Sequence, residues 1–152
     1  DKRNYWLSVV SYVFHGRDIF SPVAAHLASG KALQELGTPI DDPIRLKLPK
    51  PQKTADGWEG QIVHIDHFGN LATNIMVDDL GEALNSQHNL RVAIGNLEIK
   101  GLVNTFGERS PGDLIALLGS TGNLIISVVN GSAVAKTGAV IGNLIKVFEG
   151  KA

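Results

Sequence analysis

Between Ile65 and Ile75 an apolar stretch breaks at Phe68-Gly69 and resumes at Leu71, with Asp66, His67, Asn70, Thr73 and Asn74 set around the break. That pattern predicts two strands joined by a tight turn. Such a turn presents Asp66 and Asn70 side by side at a sheet end, with backbone bared at Gly69. The arrangement suits a small polar ligand that offers an amine and hydrogen-bonding edges. The same texture continues from Trp58 onward. Short runs rich in Val, Ile and Leu predict strands near 59–67, 70–75, 90–94, 97–103, 113–118, 123–129 and 143–148, with Gly95-Asn96 and Gly122-Asn123 as turn signals. Val77 to Leu84 and Ser132 to Thr137 predict short helices. Evenly spaced short strands with turn signals favour an antiparallel barrel or sandwich. Val92, Ile94, Leu97, Ile99, Ile115, Leu117, Leu124, Ile126 and Val147 are its expected core.

The first 37 residues read differently. Ser21-Pro22 predicts a helix start, with Ser as cap and Pro at the first helical position. Val23, Ala24, Leu27 and Ala28 share one face, and Gly30 is a stop. A second short turn runs from Ala32 to Leu36. Residues 38–57 hold four of the six prolines, which marks a linker. The expected organisation is therefore 1–37, a linker at 38–57 and a barrel over 58–152.

Composition narrows the chemistry. Of 152 residues, 43% are hydrophobic and 19% charged, with a formal net charge of -1. Nothing in that balance provides a nucleic-acid face or a basic membrane patch. Aromatic residues, at 6%, are too few for a base-stacking platform. The absence of Cys removes disulfides, thiolate metal sites and thiol nucleophiles. No segment has the length of a membrane span, so a cytoplasmic protein with no membrane partner is expected. His64, Asp66 and His67 would alternate in direction along a strand and so fail to converge on a metal. Gly119-Ser120-Thr121-Gly122 lacks the lysine of a phosphate loop and reads as a hairpin turn with a ligand-facing Ser. No nucleophile-elbow pattern surrounds Ser120. Arg17-Asp18 reads as an internal ion pair or a helix-start network rather than catalytic machinery.

Four segments carry a resemblance: Phe14-His15-Gly16-Arg17-Asp18 through Leu27; Ile65 through Ile75; Asn104-Thr105-Phe106-Gly107-Glu108; and Leu118-Gly119-Ser120-Thr121-Gly122-Asn123 with Val129-Asn130-Gly131-Ser132-Ala133. In this order they resemble the S-adenosyl-L-methionine (SAM) hydrolase, or SAM hydroxide adenosyltransferase, family, which is related to the SAM-dependent fluorinase and chlorinase. The resemblance implies a mainly β chain: a C-terminal antiparallel β-barrel preceded by a short helical remnant of an N-terminal α/β domain. It implies trimers whose site lies between the first domain of one subunit and the barrel of the next, or association with a chain carrying the N-terminal domain. That domain would supply an acidic residue for the ribose hydroxyls, and an Asp and an Arg that work with a His on the attacking water.

By position, the resemblance makes His15 the residue that orients or deprotonates water. Gly16 stands where the halogenases place a halide-contacting residue such as Ser, so its lack of a hydroxyl favours water as nucleophile. Asp66 matches the carboxylate that holds the methionine ammonium. Asn70 and Phe106 match contacts on the adenine side, and the backbone of Gly131 to Ala133 matches the reader of the adenine edge. Ser120 matches a contact to the methionine carboxylate, although Thr121 replaces the Arg that follows it in the halogenases. The implied reaction is attack of water or hydroxide on C5′ of SAM, giving adenosine and L-methionine. No cofactor is expected, because a sulfonium releases a neutral thioether. The alternative expectation is a non-catalytic barrel that binds SAM or adenosine, or that serves oligomer assembly.

Overall fold

The computed structural model describes residues 1–150. Its contacts fall into two units, Asp1–Leu46 and the remainder from Lys47 onward.

The first unit is helical. A 3₁₀ turn at Arg3–Tyr5 precedes a helix that begins at His15, passes through a wide turn over Gly16–Phe20 and continues as α1, Ser21–Ala28; α2 follows at Leu33–Leu36. The helix thus starts six residues before the expected Ser21-Pro22 boundary, at His15. Pro22 explains the difference. It has no N–H for the Asp18 carbonyl, and that carbonyl accepts the Leu7 N–H instead, at 2.9 Å. The chain around it widens to a π-type turn, a form often found at functional sites. Ser21 does not cap: its backbone N–H and its hydroxyl (2.8 Å) both go back to the Gly16 carbonyl.

The second unit is an antiparallel sheet. Its strands are β1 (Gln52–Lys53), β2 (Gly57–Ile65), β3 (Leu71–Met76), β4 (Leu90–Ile94), β5 (Leu97–Lys100), β6 (Leu114–Leu118), β7 (Asn123–Val128) and β8 (Leu144–Glu149). They lie in the order β5-β4-β8-β2-β3-β7-β6, with β1 on β2. The two edge strands nearly meet, because the segment leaving β5 donates the Val103 N–H to the Ala116 carbonyl of β6 at 2.9 Å. The result is a mainly antiparallel, nearly closed barrel, the one of the two arrangements allowed by the strand spacing that the resemblance implies. Strand positions agree with the sequence to within a few residues. Two ends differ for local reasons. Asp66 and His67 leave β2 for the turn, so the strand-alternation argument about a metal does not apply to them. β5 stops at Lys100, because Gly101 turns at φ +72°. The expected helix from Val77 is α3, Val77–Leu80, continued after Gly81 (φ +50°) as 3₁₀ turns to Asn89. α4 is Ala133–Thr137.

The barrel interior is filled by Ile62, Leu71, Ile75, Val92, Leu124, Ile126, Ile145 and Val147, each at 1% exposure or less. Two expected core assignments change. Leu97 stays 40% exposed beside the Gly95-Asn96 turn. Ile115 and Leu117 are buried, but with Val103 and Val129 in a second cluster on the other face of β6 from Ala116.

β2 changes partners along its length. Gly57–Gln61 pair with β8, and Ile62–Ile65 pair with β3 across a register shift. Asn74 bridges the transition: its Oδ1 accepts the Gln61 N–H at 2.7 Å and its Nδ2 donates to the Pro49 carbonyl at 3.0 Å. Gly60 makes the approach possible, since a Cβ there would stand 2.5 Å from both Asn74 Oδ1 and Ile75 Cγ1. Gly60→Ala is therefore expected to destabilise the barrel by about 1–3 kcal/mol, read in urea denaturation as a lower midpoint with an unchanged m-value.

Candidate functional site

In the second unit the Asp66–Asn70 turn is built around the Asp66 carboxylate. Oδ1 accepts the N–H groups of Phe68 and Asn70, both at 2.9 Å, and Oδ2 accepts Asn70 Nδ2 at 2.7 Å. The Asp66 N–H donates to the Asn70 carbonyl (3.1 Å) and the Gly69 N–H to the Asp66 carbonyl (3.0 Å). Partial burial pushes the Asp66 pKa up, but hydrogen bonds from Asn70, Phe68 and Gly69 outweigh it and hold the pKa below the ordinary carboxylate value. A carboxylate offers about four acceptor positions. Three are used, and one on Oδ2 stays open for a further donor. Asp66 closes the turn and still keeps capacity for an ammonium.

This turn docks on the start of α4. The Val134 N–H donates to the Gly69 carbonyl at 3.1 Å. Gly69 sits at φ +82°, and a Cβ there would lie 2.1 Å from Ser132 Oγ, so only glycine fits both the turn and the contact. Ser132 caps α4 by accepting the Ala135 N–H at 3.2 Å. The loop before β6 is tied to the same end: the Gly112 N–H donates to the Val129 carbonyl at 2.8 Å, and Lys136 Nζ donates to the Gly112 carbonyl at 2.5 Å. Phe106 stands in this loop on a 3₁₀ turn, 43% exposed. Glu108 Oε1 fixes the turn by accepting the N–H groups of Asn104 (2.8 Å) and Thr105 (3.0 Å). Asp66, Asn70, Gly131 and Ala133 therefore share one end of the sheet, and Phe106 stands in the loop that leads to it.

Ser120 does not join them. It lies exposed in the β6–β7 hairpin, beside the far end of β3, where the Val77 N–H donates to the Gly122 carbonyl at 2.7 Å. The six residues of β3 separate this hairpin from Asn70, at roughly 3.3 Å per residue. Asp66 and Ser120 of one copy thus stand at opposite ends of β3.

Other assignments become more specific. The Gly131 N–H is already donated to the Val128 carbonyl at 3.1 Å. Ala133 is fully buried, with its carbonyl accepting Thr137 Oγ1 at 2.7 Å. Thr73 and Asn74 turn out to be structural: Thr73 Oγ1 donates to the buried Leu124 carbonyl at 2.9 Å. Asn130, at φ +51°, is the one non-glycine residue with positive φ among the described residues. The Asn-Gly pair there was a readable turn signal. Lys136 and Ser132 had no such signal, since their partners lie far along the chain or across the turn. No group of three His, Asp or Glu side chains placed to hold a metal occurs among the described residues. A cleft of about 870 Å³ in this unit is lined by Lys53, Asp56, Trp58, Lys146, Phe148 and Glu149, and none of the candidate site residues is among its lining.

In the first unit, His15 and Gly16 are exposed at the start of the wide turn. A Cβ on Gly16 would meet nothing within 4 Å, and its φ is not positive. Neither packing nor backbone requires glycine there. Beside them, Asp18 is fully buried and paired with Arg17. The Arg17 guanidinium and then the Ser11 N–H hold the Asp18 pKa below its ordinary value against the opposing effect of burial, and the pairing raises that of Arg17.

A family model described as the SAM hydroxide adenosyltransferase C-terminal domain matches residues 60–146, and one for the N-terminal domain matches residues 2–37. The chain belongs to this family. It is 34% identical over 151 residues to the (R)-S-adenosyl-L-methionine hydrolase of Salinispora tropica, covering 95% of this chain and 54% of that protein. It is 35% identical over 122 residues to a fluorinase from an Actinoplanes species, covering 75% of this chain and 41% of that protein. A crystal structure described as an uncharacterized conserved protein from Thermotoga maritima shares the fold at TM-score 0.75 and 33% identity, covering 98% of this chain and 58% of that one. The chain thus spans about half the length of these relatives.

The depressed pKa of Asp66 has a signed consequence. A carboxylate with a lowered folded-state pKa lends stability above its unfolded value and loses it as pH falls through the folded value. The Phe68 and Asn70 amide proton shifts are expected to hold steady from neutrality down to about pH 3.9, the unperturbed Asp value, and to titrate together below it. In Asp66→Asn that titration disappears from the NMR spectrum.

Proposed function

We propose that this chain forms part of a site that hydrolyses SAM to adenosine and L-methionine. The observation that carries the reading is the Asp66–Asn70 turn docked on Gly131–Ala133 in a chain of this family. A turn with an open carboxylate position beside an amide and exposed backbone is suited to an amine and a heterocycle edge. Relatives named SAM hydrolase support the same substrate class.

In the proposed step, a water oxygen bonds to C5′ as the C5′–S bond breaks. The bonding pair stays on sulfur, which becomes the neutral thioether of methionine, and the water proton leaves to a base. His15 is the proposed base or orienting group, since an imidazole can accept a proton at one ring nitrogen and donate from the other. Placement of the nucleophile in line with the leaving sulfur supplies most of the acceleration, up to roughly 7–11 kcal/mol in favourable cases. The neutral leaving group calls for neither acid nor cofactor. Gly16 leaves the nucleophile pocket without a hydroxyl, which favours water over halide. Asp66 takes the ammonium, Asn70 and the Phe106 ring take the adenine side, and the backbone of Gly131–Ala133 reads its edge. Remaining contacts to ribose and water come from the N-terminal domain. The working assembly is a homotrimer in the cytoplasm, in which Ser120 of a different copy would contact the methionine carboxylate. Among the described residues no helix is long and apolar enough to cross a membrane.

Adenosine release from SAM, followed by liquid chromatography, tests the reading in the full-length protein. His15→Ala is expected to lower kcat by about 10²–10⁴-fold, the range of a general base. Asp66→Ala is expected to raise KM more than it lowers kcat. Absence of adenosine from wild-type protein would overturn the proposal.

A further inference from the structure

Asp18 is the one charged side chain among the described residues with no solvent exposure. It lies three residues after His15, and the step proposed above gives it no part. Its contacts run to both sides of His15. Oδ2 accepts the Ser11 N–H at 2.8 Å, while Arg17 donates Nε to Oδ1 at 2.6 Å and Nη2 to Oδ2 at 3.1 Å. Arg17 is thereby held with its guanidinium carbon 5.0 Å from the centroid of the Phe14 ring. The Asp18 backbone adds two ties: its N–H donates to the Phe14 carbonyl at 3.0 Å, and its carbonyl accepts the Leu7 N–H at 2.9 Å. Gly16 is fixed in turn through its carbonyl by Ser21. None of the side-chain hydrogen bonds among the described residues involves the His15 imidazole, whereas the backbone that carries it is tied down through Asp18 and Ser21.

We propose that Asp18, paired with Arg17, is a positioning residue that fixes the Phe14–Gly16 turn and with it the direction of the His15 imidazole. The inference rests on the reading of His15 as the group that handles the attacking water. Its physical basis is cost. A buried carboxylate is expensive unless it is paired and hydrogen-bonded, and a well-packed apolar residue would hold a helix start more cheaply. What the ionised group adds is direction: a fixed guanidinium fork and a fixed Ser11 N–H. Asp18→Asn keeps the size but removes the charge and faces the guanidinium with an NH₂ or a weaker acceptor.

The test uses two readouts. In full-length Asp18→Asn, kcat for adenosine release is expected to fall roughly 10²-fold, as displacement of a reacting group does, with KM unchanged. In this chain the ¹H–¹³C ring correlations of His15 are expected to shift, while amide signals of the barrel stay in place. Unchanged kcat together with unchanged His15 correlations overturns the proposal, and so does a loss confined to KM. If Asp18→Asn unfolds the first unit, Arg17→Gln decides: its side chain is 65% exposed, and it leaves the Ser11 bond intact. A fall in kcat with a shifted His15 signal in that variant supports positioning; wild-type values overturn it. If wild-type protein releases no adenosine, the hydrolase reading fails by itself, and the His15 correlations alone judge whether Asp18 orients the ring.

Discussion

β2 has to serve three neighbours, and the barrel depends on how it does so. Its first half pairs with β8 and β1, and its second half with β3. A strand cannot change partners without leaving backbone groups unpaired at the crossing. Here the Gln61 N–H is taken by the Asn74 side chain, which also satisfies the Pro49 carbonyl. The bend that this clasp stabilises directs the far end of β2 toward β3. The Asp66–Asn70 turn is the product of that redirection, so its place at the sheet end follows from a glycine and an asparagine several residues away on either side.

Most strands were legible because they are short runs rich in Val, Ile and Leu set between Gly, Asn or Asp. The helix start was not. Ser21-Pro22 has the composition of a cap, and the local rule favours it. The rule was overruled by Leu7, whose N–H takes the carbonyl that Pro22 cannot use. That partner is eleven residues upstream of Asp18, beyond any local window. Leu97 and the pair Ile115 and Leu117 mark a similar limit. Alternation tells which residues share a face, but not that β6 is buried on both faces or that Leu97 overhangs a turn.

For the site, the juxtaposition of Asp66 and Asn70 was visible in their spacing across Gly69. The docking of that turn against Ser132 was not, because it joins residues more than sixty positions apart. Neither was the separation of Ser120 from Asp66. Linear order places both in family motifs, whereas the pairing of β3 with β7 sends them to opposite ends of one strand.

Asp66 is a structural residue of this turn, and the ligand contact proposed for it would not compete with that part. Oδ1 is saturated by two backbone N–H groups, and one bond from Asn70 orients Oδ2. These bonds hold the carboxylate ionised and in place before any ligand arrives. An ammonium reaching the open position on Oδ2 would displace none of them, so little ordering remains to be done on binding. Gly16 shows the converse logic. There the fold imposes no requirement for glycine at all, which leaves the space itself as the physical consequence of the residue: room beside His15 that a side chain would fill.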